Sequence, residues 1–378
     1  MKRRMGTHKR GKIDIWRGAA ATVAVVLLLI PIFNISARSL YIAAAGSFLP
    51  EGGFAALINN FSYEENAGAT PYAVPGPDAD DELPAIPEMD NIAMPEYEET
   101  ISSEPPDIPK EQKGQITEME IAKTGASYGN VYIKNSTGKE INIAEYLKAE
   151  LNMEISKTGE PQVLIYHTHT TEAFLTYDAG FYDKASSFRS MNDKRSIVSV
   201  GTAICEQLES AGIGVIHDIK VYDSPTYKGA YSRSAKSIKN YLEKHPSIKV
   251  ILDIHRDSMT QSGGVKIKPT KKINGQKAAQ IMILAGCETK KSLPNPNWKE
   301  NLKFAVKLQK QIEDDYPGLT RPINFMVAQY NQQYSTGALL IEIGTEANTI
   351  DEAVYTGKLF GDSLVRLLSS NAGRKNTA

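Results

Sequence analysis

The sequence contains few cysteines, almost no net charge and one long stretch without basic residues. Only two of its 378 residues are cysteines, which excludes a small domain held together by disulfides. The formal net charge is -1, but it is the sum of unlike regions. Residues 1–17 carry +6, Arg38 adds +1, residues 39–109 carry -14 without a single Lys or Arg, and residues 110–378 carry +6. The net charge therefore indicates no partner, and each region has to be considered separately.

The N-terminal region has the pattern of a membrane anchor. Seven basic residues and one Asp precede an uncharged, largely apolar run at residues 18–37. Twenty residues of α-helix rise about 30 Å, which matches the hydrocarbon core of a bilayer, and basic residues keep their side cytoplasmic. We predict a basic cytoplasmic segment at 1–17 and a transmembrane signal-anchor at 18–37, which makes the rest of the chain extracytoplasmic. A cleaved signal peptide is the alternative.

An acidic, proline-rich region follows the apolar run. Nine of the 19 prolines lie between Pro71 and Pro109, among clusters of Asp and Glu. Like charges and prolines keep such a chain extended, and its scattered apolar residues bury too little surface to offset the entropy lost on ordering. We predict a disordered linker at 38–113 that holds a folded domain away from the membrane. An acidic partner-binding segment is the alternative.

The remainder has the pattern of an α/β domain, predicted at 114–371 and followed by a tail at 372–378. Apolar runs of strand length lie at 162–167, 214–219, 249–254, 280–287 and 339–343. Helical spacing of apolar residues occurs at 196–208, 230–244, 298–314 and 350–369. Strands that alternate with helices predict a mostly parallel, twisted sheet flanked by helices. Residues 265–287, with Asn274 and Gly275 between two strands, could instead form an antiparallel hairpin at one edge.

The two cysteines fall in predicted secondary structure. Cys205 lies in a predicted helix and Cys287 at the end of a predicted strand. Both positions face inward in those elements, so we predict two buried free thiols rather than a disulfide.

Three of the six histidines lie at the ends of predicted strands. Residues 167–172 (HTHTTE) follow a strand directly, at the kind of turn where open α/β sheets form crevices. The H-x-x-E spacing of His169 and Glu172 lets an imidazole and a carboxylate reach one zinc ion at about 2.0–2.2 Å. A third ligand must come from elsewhere, and His255 ends another strand. The sequence predicts that His169, Glu172 and His255 bind zinc, with hydrogen-bonded structural histidines as the alternative.

Three further residues could support this site. Asp253 projects from its strand to the same side as His255 and could orient that imidazole. His167 is expected on the same side as His169, as a supporting residue. Arg256 could hold an anionic group of a substrate, although a surface salt bridge explains it equally well.

Glu342 is an acidic residue within an apolar run (LLIEI). An ionised carboxylate is costly there unless it is paired, bonds a water held by the metal or titrates near neutrality. In a zinc hydrolase the metal lowers the pKa of its water to about 7, and a nearby carboxylate takes the proton. We therefore predict Glu342 as the general base of an amide or peptide hydrolase. Glu346 lies beyond Gly344 in a turn and is the weaker alternative.

Together these segments resemble a known family. The strand-HTHTTE, DIHRD and LIEIGTEAN segments, in that order behind a basic anchor and an acidic linker, resemble stage II sporulation protein P over residues 120–371. That family comprises cell-wall hydrolases related to the zinc N-acetylmuramoyl-L-alanine amidases. The resemblance implies cleavage of the amide between N-acetylmuramic acid and the L-alanine of the stem peptide, and also of peptide cross-links.

The resemblance also implies a biological setting. It implies septal wall thinning and engulfment during sporulation. The implied partners are peptidoglycan, a lytic transglycosylase and a polytopic membrane protein, with no nucleic acid among them.

In one respect the sequence departs from the wider amidase family. That family takes its glutamate ligand from the start of the helix after the first strand, where residues 191–195 here read MNDKR. The ligand is then Glu172 or Asp193, and we choose Glu172. His169, His255 and Glu342 match the family's other positions, although threonines surround His169 where the wider family has glycines.

Two other functions are compatible with the residues. One is a zinc carboxypeptidase or endopeptidase of other specificity, because H-x-x-E followed by a distant histidine is also a carboxypeptidase spacing. The other is a non-catalytic, membrane-anchored scaffold that binds the wall. Metal content separates the scaffold from the enzymes, and reaction products separate the enzymes from each other.

Overall fold

The computed structural model describes residues 102–156, 158–288 and 294–373. The predicted cytoplasmic segment, the predicted transmembrane helix and most of the predicted linker lie outside these residues. Among the described residues, no helix is both long and apolar enough to cross a membrane. The described chain begins as an irregular segment and passes through a short 3-10 helix, Lys110–Gln112, into the first strand.

The described residues form twelve strands and five α-helices. The strands are β1 Lys113–Met119, β2 Ala126–Tyr128, β3 Val131–Asn135, β4 Pro161–Tyr166, β5 Phe181–Asp183, β6 Gly214–Asp218, β7 Val250–Asp257, β8 Lys266–Ile273, β9 Gln276–Ala279, β10 Ile281–Cys287, β11 Ile323–Val327 and β12 Gly337–Thr345. The helices are α1 Ile143–Lys148, α2 Ile197–Ser210, α3 Ala230–Lys244, α4 Trp298–Asp315 and α5 Ile350–Gly373. The predicted α/β class is thereby confirmed.

Eight strands form the main sheet, in the order β2-β3-β11-β10-β12-β7-β4-β6. Strands β12, β7, β4 and β6 are parallel, and so are β3, β11 and β10. These two blocks meet in an antiparallel pairing between β10 and β12, and β2 adds an antiparallel edge. The sheet is therefore mostly parallel, and the parallel connections bring the ends of β4, β7 and β12 to one edge.

Helices cover both faces of the main sheet. Alternate residues of β4 separate the two layers, because successive side chains of a strand point to opposite faces. Val163 and Ile165 pack into the larger core, which includes residues of α2, α4 and α5. Leu164 and Tyr166 pack with Ile238 of α3 on the opposite face. Strands covered on both faces are apolar throughout, which is why they were recognisable as continuous runs in the sequence.

The two cysteines are both buried and both free, as predicted. Cys205 lies in α2, and Cys287 is the last residue of β10.

Four strands form a second sheet, in the order β5-β1-β8-β9. The predicted hairpin is present as β8 and β9, joined by Asn274 and Gly275 at φ 48° and 87°, the left-handed values of a tight hairpin turn. Its predicted position at an edge of the main sheet is wrong. β8 pairs with β1 instead, and β10 continues alone into the middle of the main sheet.

A buried lysine attaches the second sheet to the helical layer. Lys268 of β8 is only 2% exposed. Its ammonium lies 2.7 Å from Glu352 in the first turn of α5 and 2.8 Å from Asp178. A third carboxylate, that of Glu118, lies 3.9 Å away, so three opposite charges surround this buried cation.

Candidate metal centre

The predicted site residues lie at the carboxyl ends of three neighbouring parallel strands. The HTHTTE segment follows β4, and the adjacent β7 carries Asp253 and His255. Glu342 of β12 is the register partner of His255. Residues two apart on a strand, and register partners on parallel strands, share one face of the sheet. Asp253, His255 and Glu342 therefore emerge on the same face, beside the turn that carries His169.

His169, Glu172 and His255 lie close together. One nitrogen or oxygen atom from each residue lies within 4.8 Å of the others, and all three residues are buried. Glu172 lies between the histidines, with its Oε1 and Oε2 each 3.4 Å from the Nδ1 atoms of His169 and His255, respectively. Two imidazoles and one carboxylate form a donor set that suits zinc and leaves one position open for water or substrate. These residues thus fit a zinc ion.

A tight turn brings His169 and Glu172 together. The Glu172 N–H donates to the carbonyl oxygen of His169 at 3.0 Å, so the H-x-x-E segment is one β-turn. The Arg256 N–H donates to Oε2 of Glu172 at 3.0 Å, which ties the turn to β7. The H-x-x-E spacing is therefore a property of local backbone geometry, and the third residue arrives through strand pairing.

Asp253 supports His255 from the side away from Glu172. Its Oδ1 lies 2.7 Å from Nε2 of His255, close but poorly aligned for a hydrogen bond, so the contact is mainly electrostatic. The N–H and Oγ1 of Thr168 donate to the Asp253 carboxylate at 2.9 and 2.7 Å. Burial lowers the pKa of His255, but Asp253 and Glu172 outweigh it and raise that pKa well above its usual range. The group is thus arranged to hold positive charge.

The two histidines also change the pKa of Glu172. Burial of its carboxyl favours the neutral form, but His255 and His169 lower the pKa of Glu172 well below its ordinary value. Glu172 is therefore an anion facing two imidazoles, which is the state required of a metal ligand.

Glu342 has the properties of a proton carrier. The residue as a whole is partly buried, but its Oε2 is inaccessible to solvent and has no hydrogen-bond partner among the described residues. Burial, followed by the nearby Asp257, raises the pKa of Glu342 to about 8, against the opposing effect of His255. A carboxyl group that can be neutral or charged near pH 7 can accept a proton and return it.

The alternative acidic residues are placed differently. Glu346 accepts a hydrogen bond from Ser258 Oγ at 2.9 Å and pairs with Lys266, so its carboxylate is engaged in a structural contact. Asp193 is exposed near the start of α2. It does not belong to the group of described side chains that could hold a metal ion.

Arg256 is buried rather than presented to a substrate. Its Nε donates to the carbonyl oxygen of Ala173 at 2.9 Å and its Nη2 to that of Phe188 at 2.7 Å. The guanidinium therefore holds the loop that follows the H-x-x-E turn. It also pairs with Glu346, with 3.7 Å between Nη1 and Oε2, so the predicted salt bridge exists but is buried rather than at the surface.

His167 lies on the opposite face of the sheet from Asp253 and His255, which differs from the expectation. It continues the alternation of β4, and its Nδ1–H donates to the carbonyl oxygen of Ile254 at 2.8 Å. Its Nε2 lies 2.9 Å from Nε2 of His217. Because a carbonyl only accepts, Nδ1 of His167 carries the proton and Nε2 accepts from His217.

Helix α2 covers this histidine pair. A Cβ atom at Gly201 of α2 would lie 2.5 Å from Nε2 of His217 and 2.6 Å from Nε2 of His167, so only glycine fits there. Burial, together with His217, lowers the pKa of His167 to about 3, and burial lowers that of His217 to about 4. The pair is a neutral structural contact.

Sequence patterns gave no indication of the aromatic residues around His169. The ring of Tyr227 stacks on His169 at a centroid distance of 4.3 Å, and Tyr231 of α3 approaches edge-on at 5.6 Å. Tyr227 belongs to the irregular loop between β6 and α3, which has no periodic pattern. Only the fold brings this loop to the site.

The fold and this group of side chains first define a class: an α/β protein with a two-histidine, one-glutamate site at the strand ends and a protonatable carboxyl beside it. The family model described as Stage II sporulation protein P (SpoIIP) matches residues 79–365. The chain belongs to the stage II sporulation protein P family.

One curated relative and several solved structures are similar to the chain. Stage II sporulation protein P of Bacillus subtilis (strain 168) is 29% identical over 262 residues, which are 62% of each chain, so the match spans less than two thirds of that relative. The CwlD amidase from Clostridioides difficile, solved with the GerS lipoprotein, is 13% identical and covers 55% of this chain and 99% of its own, with a TM-score of 0.34.

A second solved structure gives similar values. The N-acetylmuramyl-L-alanine amidase Ami1 from Mycobacterium smegmatis is 13% identical and covers 59% of this chain and 100% of its own, with a TM-score of 0.33. Scores this low say nothing about the chemistry of the present chain.

Proposed function

We propose that the protein is a zinc-dependent peptidoglycan hydrolase that cleaves the amide between N-acetylmuramic acid and the L-alanine of the stem peptide. Peptide cross-links would be a second substrate, and septal wall thinning and engulfment during sporulation the biological role. The observation that carries the proposal is the buried group of His169, Glu172 and His255 beside a protonatable Glu342. Membership of the sporulation family supports the wall substrate and the setting.

The residues would divide the chemistry between them. His169, Glu172 and His255 would hold zinc, with Asp253 keeping the His255 ring oriented. When bound, zinc supplies a Lewis acid that polarises the scissile carbonyl and acidifies water. Glu342 would take the proton of the attacking water on its carboxylate and return it to the leaving amine. Its carboxyl is suited to this because burial raises its pKa to about 8, so it can hold or release a proton near neutral pH.

The test compares the full-length protein with two glutamine variants on purified peptidoglycan. Glu342→Gln should retain stoichiometric zinc by metal analysis and lose about 10²- to 10⁴-fold in kcat, the usual contribution of a general base. Glu346→Gln is the matched control and should keep kcat within a few-fold. A zinc-free parent, or equal release of wall material by Glu342→Gln and the parent, would contradict the proposal and favour the wall-binding scaffold.

The reaction products distinguish the enzymatic alternatives. An amidase releases intact stem peptides and leaves peptide-free glycan, whereas an endopeptidase leaves stems attached to muramic acid. A carboxypeptidase releases only single terminal residues. Mass spectrometry of the digest therefore decides among the three activities.

We further propose that the protein is a single-pass membrane protein whose C-terminal domain is extracytoplasmic. The charge pattern of residues 1–37 supports this topology. Peptidoglycan and the membrane would be its direct partners, and a lytic transglycosylase and a polytopic membrane protein of the engulfment complex its protein partners.

A further inference from the structure

One segment beside the candidate metal centre carries most of the positive charge of the domain. Residues 219–249, which include α3, hold seven Lys or Arg and two Asp or Glu, a net charge of +5 within the +6 of residues 110–378. Asp223, one of the two acids, is buried and paired with Arg189. Apart from Glu243, the exposed charges of the segment are six lysines, which we call the basic surface: Lys220, Lys228, Lys236, Lys239, Lys244 and Lys249.

Helix α3 directs this charge away from the main sheet. Its buried residues Ser234 and Ile238 lie on the side that packs on the sheet. At 3.6 residues per turn, Lys236 and Lys239 lie on the opposite side, and both are exposed. None of the six lysines forms an ion pair with a carboxylate in the part of the chain that the structure describes. The charge of the basic surface is therefore not neutralised within this part of the domain.

The basic surface begins at the candidate metal centre. Tyr231, in the first turn of α3, approaches His169 edge-on, with ring centroids 5.6 Å apart. The guanidinium of Arg233 donates to two carbonyl oxygens of the loop before α3, at 2.6 and 3.1 Å, which holds that loop against the helix. With a rise of 1.5 Å per residue, Lys236 lies about 8 Å and Lys244 about 20 Å beyond Tyr231 along the helix. The surface is thus elongated and leads away from the site.

The sign and the shape of the basic surface fit a linear polyanion. Exposed lysines without carboxylate partners attract negative charge, and that attraction weakens as the salt concentration rises. The proposed substrate is such a polymer, because its glycan strands carry stem peptides with free carboxylates at regular intervals. A strand that places one stem at the metal centre would place the next stems along α3.

We propose that the basic surface binds the carboxylates of neighbouring stem peptides on the same peptidoglycan strand, and so holds the polymer while one amide is cleaved. The inference rests on the proposed function of the metal centre and extends it to how the substrate is held. Contacts remote from the reacting amide stabilise the bound substrate and the transition state equally, so their loss raises KM and leaves kcat nearly unchanged.

The first experiment measures binding without cleavage. The probe is insoluble peptidoglycan freed of teichoic acid, and the full-length, zinc-loaded protein carries Glu342→Gln to prevent turnover. With Lys236→Glu and Lys239→Glu added, it should bind about tenfold more weakly in about 0.05 M salt, because two exposed attractions become repulsions. In about 0.5 M salt most of this difference should disappear. Amidation of the carboxylates of the peptidoglycan should likewise remove it.

The matched control reverses two lysines on the other side of the main sheet. Lys148 of α1 and Lys299 of α4 are exposed, and both helices pack into the larger core, on the face opposite α3. Lys148→Glu with Lys299→Glu should bind peptidoglycan as the parent does. With Glu342 intact, the double variant of α3 should show a KM on peptidoglycan about tenfold higher and a kcat within about threefold, whereas the control should change neither.

The outcomes separate this inference from the proposed function. Equal affinity of the parent and the double variant of α3 for peptidoglycan would overturn the inference and leave the proposed function standing. A difference seen only on walls that retain teichoic acid would make a phosphate polymer the occupant, and tighter binding by the variant would make it the acidic region at 39–109; either result overturns the inference. If the parent hydrolyses nothing, the proposed function fails, and the binding comparison still decides whether the surface holds peptidoglycan.

Discussion

At the scale of single residues, Glu342 is held in an environment that opposes its charge. Its folded-state pKa of about 8 lies above the ordinary 4.5, so between these values the folded protein binds more protons than the unfolded chain. The contribution of this group to the free energy of unfolding is therefore complete below about pH 4.5 and is lost as the pH rises toward 8. A residue whose ionisation reduces the stability of the folded protein is typically retained for activity rather than for stability.

We predict that Glu342→Gln stabilises the zinc-free protein while inactivating the enzyme. The gain in free energy of unfolding should reach about 2–4 kcal/mol at pH 8 and disappear near pH 4.5, because only the ionised carboxylate is disfavoured. Urea unfolding at both pH values measures it.

A second buried glutamate provides the control for that measurement. Glu313 accepts hydrogen bonds from Thr320 Oγ1 and N–H at 2.6 and 2.8 Å and from the Gly318 N–H at 3.0 Å. Glu313→Gln should destabilise the protein, because it replaces a fully bonded carboxylate. If Glu342→Gln is destabilised at pH 8 as much as Glu313→Gln, the fold does not disfavour the ionised form of Glu342 and the prediction is wrong.

At the scale of secondary-structure elements, the pair of His167 and His217 couples α2 to the sheet. The folded-state pKa of His217, about 4, lies below its ordinary 6.5, so the folded protein binds fewer protons than the unfolded chain between these values. The stability that this neutral pair contributes is present above about pH 6.5 and is lost as the pH falls toward 4.

We predict that His217→Gln reduces the acid sensitivity of the domain. As the pH falls from 6.5 to 4, the free energy of unfolding of the parent should decrease by up to about 1.4 kcal/mol per pH unit more than that of the variant. The reason is that the variant has one fewer histidine to protonate on unfolding. Denaturant unfolding at half-unit pH steps measures the slopes. His245→Gln, at the end of α3, is the control, and equal slopes for the parent and His217→Gln would contradict the prediction.

The predictable elements are those that helices cover on both faces. β4, β7, β10 and β12 are nearly continuous apolar runs, and α2 to α5 have clear helical spacing, so the sequence located all of them within a few residues. β1 (KGQITEM) and β5 were not predicted, because they are polar or only three residues long and are stabilised by pairing with distant strands. The short strands β2, β3 and β11 were also missed. The hairpin turn was predictable from Asn274 and Gly275, but the strand that β8 pairs with was not.

The same distinction holds for the candidate site. His169 and Glu172 are linked by one turn, and Asp253 and His255 by the two-residue period of a strand, so local spacing was enough to propose them. Tyr227 was missed because its position depends on hydrogen bonds between Asp223 and Thr171, 52 residues apart in the sequence. The face occupied by His167 was missed because the chain turns directly after it, and alternation no longer relates it to His169.

At the scale of the whole molecule, we predict that the three charge regions lie in three different environments. A +6 segment before an apolar run, a -14 region and a +6 region are the charge pattern expected of a chain anchored at one end, with a spacer and a weakly basic domain beyond it. The weak positive charge suits an anionic wall polymer, at ranges limited by screening to about 8–10 Å. The anchor itself stays a prediction, because residues 18–37 lie outside the described structure.

We predict that the full-length protein remains in the membrane fraction in 1 M salt and is released by detergent, because an apolar span, unlike charge attraction, is insensitive to screening. A variant without residues 1–37, secreted through a cleavable signal peptide, should be soluble. Immunoblotting of cell fractions measures both. Release of the full-length protein by salt alone, or a mature form shortened by about 40 residues as expected for signal cleavage, would contradict the anchor.

The burial of Lys268 limits how sequences of this family can diverge. Replacing Lys268 alone would leave Glu352 buried without its counter-charge, and replacing Glu352 alone would leave the buried ammonium beside only the more exposed carboxylates of Asp178 and Glu118, so either single change is costly. The two positions can be exchanged only as a pair, whereas Asp178 can vary by itself. Across relatives, loss of the basic residue on β8 should therefore coincide with loss of the acidic residue at the start of α5, as a coupled evolutionary step.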